Sequence, residues 1–348
     1  MATRLKSKVY KLDNDFDTFF KMAYHNGWTD GLPVVPPTKE RVMAMINYVG
    51  RDPEEIISEV PPRFGVATVE KIAINAVMAG CLPEYMPVLI AAIEAVSLPK
   101  FNLDHQQTTT ASSYQMVIIN GPIRKKLEVN SGRGCLGPGW RANATIGRAV
   151  RLCALNIGGG IPGEVSKSIL QIPGRYTCCF GEDEENSHWE PLHIDRGFKK
   201  NTSTVTVFGC FCQYTVSTGP TQPSISCLLQ ELSDSMAYMG SYNMLLGGGP
   251  FMVILQSGHT KFFNEAGYSK QAVKQYLFEH ARVPFSRFPA DRFVPGQNPQ
   301  PLVVDGMTWP TRKPEDIMIV IAGGQEPYIP QIAPAHIGSE PQTVAIKE

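Results

Sequence analysis

Neither sign of charge prevails in this chain: 32 lysines and arginines face 32 aspartates and glutamates in 348 residues, leaving no formal net charge. Without a long-range positive field, nucleic acid and an anionic bilayer are both poor partners. A long apolar run is missing too. The most apolar stretch, Ile72 to Leu98, is interrupted by Gly80, Pro83, Glu84, Pro87 and Glu94, and so falls short of the roughly 20 residues a membrane helix needs. It reads as two buried helices. The opening MATRLKSKVYKLDNDFDTFF has no apolar run behind its early lysines, so export is not expected. With no export signal, eight cysteines argue for reduced thiols in the cytoplasm rather than a disulfide framework. G-x-x-x-x-G-K-[ST], H-E-x-x-H and G-x-S-x-G are all absent, leaving P-loop, zinc-protease and common serine-hydrolase chemistry without support.

What is present is a hydrophobic content of 43% with 31 glycines and 28 prolines, which points to shaped loops on a well-filled core rather than to disorder. Apolar spacing and capping residues predict helices over Asn14–Asn26, Lys39–Val49 behind Thr38, Val69–Ala79 between Thr68 and Gly80, and Glu84–Val96. A strand over Gln115–Ile119, a glycine-rich loop over Ser131–Gly139 and a helix over Ala142–Asn156 follow. Strands are expected over Tyr176–Phe180, Thr204–Tyr214, Phe251–Leu255 and Ile317–Ala322, with helices over Ser224–Met239 and Lys270–Ala281 between them. Residues Pro284–Pro314 read as an irregular surface stretch. The alternation predicts an α/β fold, a layered mixed sheet with flanking helices in two closely packed subdomains, residues 1–200 and 201–348.

Chemistry is most readable at Ser131–Gly139, where glycines turn backbone amides outward before a helix start. That arrangement suits an anion, with Gly137, Arg141, Asn143 and Arg148 as contacts and Arg151 one turn beyond; a loop shaped only for packing, with solvated arginines, is the alternative. Gly132, Gly134 and Gly137 match G-x-G-x-x-G, but no buried strand precedes them and no acidic residue follows at the right distance, so a nicotinamide cofactor is not expected. No other cofactor is predicted, no metal ligand is assigned, and whether a metal binds stays open. Asn75, Cys81, Glu84 and Tyr85 are polar groups in apolar surroundings, which makes Cys81 a catalytic candidate beside Glu84 and makes Asn75 and Tyr85, with Asn120, candidate substrate contacts. A carboxylate desolvated at a helix junction makes Glu84 the first candidate acid or base, against a purely helix-complementing role. Cys135, near a helix start, is the candidate nucleophile; Cys178, Cys179, Cys210 and Cys212 read as core thiols. The run Glu182–Glu185 with His188, Trp189 and His193 is either solvated surface or a loop that meets a ligand or divalent ion. His105 lies in a threonine-rich loop, Asp104–Ser113, placed to close over a site.

The segments DGLPVVPPT, NAVMAGCLPEYMPV, IINGPI, GPGWRANATIGRAVRL, GHTKFFNEAGYSKQAVKQYLFEHARVP and PEDIMIVIAGG resemble a bacterial family associated with UGSC-type proteins, which carry a selenocysteine-or-cysteine, Gly, Ser, Cys motif. The resemblance implies a subunit working beside a small cysteine- or selenocysteine-containing partner in a two-component enzyme, because this chain has no Cys-Gly-Ser-Cys of its own. It covers Asp30, Asn75, Cys81, Glu84, Tyr85, Asn120, Arg141, Asn143 and Arg148, but not Cys135. The expected activity is proton transfer on a small anionic organic substrate, as in elimination or hydration, by an oligomeric enzyme. Thiol-dependent oxidoreduction and a non-catalytic scaffold for the thiol protein are the competing readings.

Overall fold

Alternate side chains of a strand point to opposite faces, and in the central strands of this protein both faces are buried. The computed structural model describes residues 5–12, 15–217, 223–293, 296 and 300–347. Two four-stranded mixed sheets dominate it. The strands are β1 (Tyr114–Asn120), β2 (Cys179–Gly181), β3 (Thr204–Cys210), β4 (Tyr214–Thr215), β5 (Phe251–Leu255), β6 (Ile317–Ile321), β7 (Gln331–Pro334) and β8 (Gln342–Ala345). The first sheet runs β8-β3-β1-β2, with β1 parallel to β2 and the other pairs antiparallel; the second runs β6-β5-β7-β4, with β6 parallel to β5.

The pleat sorts these strands into layers. Val117, Ile119, Val205 and Val207 face a helical layer made of α1 (Val69–Ala79), α2 (Met86–Ser97) and α3 (Arg141–Asn156). Met116, Ile118 and Phe208 point the other way and meet Met252, Ile254, Met318 and Val320 of the second sheet. That sheet turns Phe251, Val253, Ile317 and Ile319 towards α4 (Ile225–Met236) and α5 (Lys270–His280). The order is therefore helices, sheet, sheet, helices: an α/β fold with three apolar cores. Burial of each large side chain between the sheets contributes roughly 1.5–3 kcal/mol, and burial on both faces explains why β6 reads Ile-Met-Ile-Val-Ile without polar alternation.

Local signals place many boundaries. Thr38, Thr68, Ser224 and Ser269 accept hydrogen bonds from the first turns of their helices, and Gly50 and Gly80 close two of them in the left-handed conformation. The first helix spans Phe16–His25 with Asp15 as its cap; Asn14, its expected start, lies outside the described residues. Instead of one strand over Thr204–Tyr214 there are two. Cys210 bridges to Ala335 and the Phe211 amide donates to Pro334, so the chain leaves the first sheet there and enters the second. The strand expected over Tyr176–Phe180 begins only at Cys179, behind a 3-10 turn at Pro173–Arg175. Residues Pro284–Pro314 contain much of a small antiparallel sheet, Val283–Pro284, Leu302–Val304 and Met307–Trp309; 294–295 and 297–299 fall outside the described residues. Both β3 and β8, beyond residue 200, pair within the first sheet. No single helix among the described residues is long and apolar enough to cross a membrane.

Candidate active site

The parallel pairs of both sheets end at one edge. Glu182, directly after β2, ties the edge together: its carboxylate accepts from the Asn120 amide at the end of β1 (2.6 Å), from the Leu192 backbone (2.7 Å) and from the Ile321 backbone at the end of β6 (3.3 Å). It is fully buried, and burial pushes its pKa above the ordinary carboxylate value despite those donors and the charge of Lys270. The Asp183 amide donates to Ile321 at 2.7 Å, and the Ser257 amide, beyond β5, donates to Gly324 at 3.1 Å. Four loops following strands thus converge, as ligand-binding edges of α/β sheets do.

Between them opens a cleft of about 400 Å³. Ser131, Gly132 and Arg133 come from the glycine-rich loop, Asp183, Glu185 and Asn186 from the loop after β2, and Gly324, Gln325 and Glu326 from the loop after β6. Gly324 sits at φ 107°, and a Cβ there would lie 3.0 Å from the Arg133 side chain, so the third loop needs glycine to pass beside the first. Asp183 is 4% exposed, and its carboxylate accepts from Asn186 at 2.8 Å. Burial works against ionisation of Glu185, but hydrogen bonds from Arg124 (2.6 Å) and Lys125 (3.1 Å) outweigh it and hold its pKa below the usual value. Arg133 pairs with Glu326 at the rim, an exposed contact worth about 0–1 kcal/mol. The lining therefore offers carboxylates on one wall and, opposite, a guanidinium engaged in an exposed pair with Glu326. Among the described residues no group of three His, Cys, Asp or Glu side chains is arranged to hold a metal ion.

Asn143, on α3, anchors the glycine-rich loop: it accepts from the Asn130 amide and donates to the carbonyls of Asn130 and Cys135, each at 2.9 Å. It positions the loop instead of lining the cleft. Asn120 likewise spends its amide group on Glu182 and Glu184. Cys135 lies beneath the cleft, 4% exposed; burial raises its thiol to about 11 against backbone donors, and α3 starts only at Arg141, so the expected thiolate is not stabilised. Cys81 donates to the Thr145 carbonyl at 3.3 Å and is pushed by burial to about 12. Glu84, expected to be desolvated, is exposed in the 3-10 turn Pro83–Tyr85, which points its side chain away from the apolar packing its neighbours enter. Tyr85 is buried, and desolvation raises its phenol above the ordinary value.

The arginines expected to hold an anion are occupied within the fold. Arg141 donates twice to the Gly80 carbonyl, at 3.1 and 3.2 Å. Arg148 clamps Asp30 through two 2.8 Å bonds and also reaches the Pro33 carbonyl. Asn75 links the Lys71 carbonyl to Asn156, and Gly137 is an exposed residue of the loop outside the cleft. Of the side chains that line the cleft, Asp183 and Glu185 belong to the acidic run read from sequence as either solvated surface or a ligand-meeting loop, whereas Arg133, Asn186, Gln325 and Glu326 were not singled out as binders. Their signal is present: Gly181 and Gly323-Gly324 stand just after apolar strand runs, and the Glu182–Glu185 run follows the first of them. No family model matches the chain, nor does any curated protein or solved structure.

Proposed function

We propose that this chain is an enzyme subunit that moves a proton on a small hydroxy- or amino-carboxylate in the cleft at the carboxyl ends of the two sheets. The observation that carries this reading is Asp183: a carboxylate nearly removed from water, held by Asn186, at the meeting point of four loops on an open cleft. Asp183 takes the substrate proton, while Arg133 exchanges its weak, exposed contact with Glu326 for the substrate carboxylate. A substrate with both a donor and an anionic end suits this lining, since a second anion-only surface would face Glu185 and Glu326. The reaction class that follows is elimination: Asp183 takes the carbon-bound proton, the neighbouring C–O or C–N bond breaks as the double bond forms, and the hydroxyl or amino group leaves protonated as water or ammonia; hydration is the reverse addition.

Six of the eight thiols are buried and none lines the cleft, so we assign a reactive thiol, where the reaction uses one, to a partner chain. That agrees with the resemblance to UGSC-associated proteins and keeps thiol-dependent oxidoreduction as the second reading. All eight cysteines are unpaired in the structure, which supports a cytoplasmic setting.

Small hydroxy and amino acids incubated with the protein in deuterated water, followed by proton NMR, test the first reading. Wild-type protein exchanges a carbon-bound proton or releases water or ammonia from one of them, and Asp183→Asn lowers that rate by about 10²–10⁴-fold. Equal rates in the variant would remove Asp183 from the chemistry. Turnover that appears only with an added small thiol protein and stops under alkylation of that protein would favour the redox reading.

A further inference from the structure

Buried charges are ordinarily paired, because an isolated ion loses its hydration without recompense. Two arginines here break that rule. Arg151, on α3, and Arg175, in the turn before β2, are 6% and 7% exposed. Both donate to the same atom, the Oε1 of Gln107, at 3.0 and 3.1 Å. Their remaining contacts are also neutral: Arg151 reaches the Gly160 carbonyl at 3.4 Å, and Arg175 reaches Ser166 Oγ and Gln171 Oε1, each at 3.0 Å. Among the described residues neither makes an ion pair, and Asp30, the carboxylate whose charge bears on Arg151, is already clamped by Arg148.

Neutral oxygens satisfy the N–H groups of a guanidinium but not its charge, and two like charges converging on one oxygen repel. Desolvation pulls Arg151 down to about 10, and desolvation together with the charge of Arg151 pulls Arg175 down to about 9. Gln107 shows the same imbalance from the other side. Its oxygen must face the guanidiniums, since a flipped amide would turn N–H groups on them, and its buried Nε2 is then left without a partner. Gly160 lets Gln107 approach the backbone closely, for a Cβ there would lie 2.7 Å from Oε1. A structural role alone would be served better by one arginine, or by apolar residues of similar volume.

We propose that Arg151, Arg175 and Gln107 form a binding site for a small oxyanion, a carboxylate or phosphate group, whose oxygens bridge the two guanidiniums. Two forks converging on one point suit a group with several coplanar or tetrahedral oxygens. The site lies at the amino ends of β1 and β2, whereas the cleft lies at their carboxyl ends; seven residues of strand separate them by about 20 Å. It is therefore independent of the proton-transfer reading. The segment 161–172 covers it, supplying Ser166 and Gln171 while fastened to the threonine-rich loop through Ile169 to Thr110 and Ser168 to Ala111. Ligand entry requires that segment to lift.

The test is titration of the full chain, in buffer free of phosphate and carboxylates, with inorganic phosphate and with succinate, read by calorimetry and thermal unfolding. One or both probes bind wild-type protein saturably and raise its Tm, and which one does so identifies the group recognised. Arg175→Gln weakens that binding at least about tenfold, and in the absence of either probe its Tm is equal to or above that of wild type. Arg151→Lys, which keeps the charge but loses the fork, also weakens binding. Failure of both probes to bind wild-type protein overturns the proposal without recourse to variants, as does equal binding by wild type and variants.

Discussion

Arg148 and Arg151 stand one turn apart on the same helix, yet they meet opposite fates. Arg148 reaches across 118 positions of sequence to Asp30, and its charge is cancelled by a two-pronged contact whose carboxylate side chain is 4% exposed. Arg151 reaches Gln107 and finds Arg175 already there. The first pair is an internal clamp that fixes the segment Asp30–Pro33 on α3. The second is a concentration of positive charge with no ion pair among the described residues. Residue type and spacing are alike in the two places, so what separates a fastening from a binding site is the charge of the partner that tertiary structure supplies.

Substitution should expose that difference most strongly. Arg148→Ala leaves Asp30 buried with only the Thr29 hydroxyl and Leu32 amide as donors, and a loss of about 3 kcal/mol or more in unfolding free energy is expected, as for other broken buried pairs. Arg151→Met removes one of two repelling charges and replaces it with an apolar chain of similar length. Its stability in anion-free buffer should equal or exceed that of wild type. Urea denaturation of the two variants side by side measures both. A comparable large loss in each would mean that Arg151 is as much a structural clamp as Arg148.

That contrast marks what the sequence could and could not reveal. The capping threonines and terminal glycines of Lys39–Val49 and Val69–Ala79 lie within a few residues of what they cap, and the apolar runs of β5 and β6 declare themselves by length and composition. Pairings distant in sequence do not. Nothing local distinguishes Arg148 from Arg151, and nothing in Thr204–Tyr214 shows where the chain changes sheets. Glu84 departs from its expectation, and Asp183 takes the less ordinary of its two readings. Apolar neighbours suggest burial for Glu84, but a 3-10 turn exposes it, whereas the acidic run leaves solvent or a ligand-meeting loop open for Asp183, and the ends of two sheets enclose it.

A smaller effect separates the cleft's supports from its lining. Asn143 makes three hydrogen bonds to the loop that carries Arg133 and Cys135, and its loss leaves buried backbone groups at Asn130 and Cys135 unpaired. Asn143→Ala should lower stability by about 1–3 kcal/mol and release the loop, read as faster amide exchange over residues 130–137. Arg133→Ala, at the exposed rim, should leave stability nearly unchanged while weakening substrate binding. If Asn143→Ala instead leaves exchange in the loop untouched, the loop is held by its own turns and by Gly323, and Asn143 is free for a ligand.

The least disruptive probe is pH, and it acts on Glu182, the group that joins the two sheets at the cleft. Its pKa is raised in the folded state by burial, from an ordinary value of 4.5. Between 4.5 and the raised value the folded protein holds a proton that the unfolded chain has released, so unfolding loses a proton and stability falls as pH rises through that window. Glu182→Gln cannot lose the proton, and its stability should stay level across the same interval. The variant carries a fixed cost, because one of its amide's two termini then faces the Asn120 amide or the Ile321 and Leu192 backbone donors. That cost shifts the whole curve without tilting it, so Tm measured from pH 4 upward separates the two effects: offset reports the lost acceptor, slope reports the titration. Parallel slopes in wild type and variant would assign the pH dependence to other carboxylates and leave Glu182 ionised throughout, with its three donors outweighing its burial.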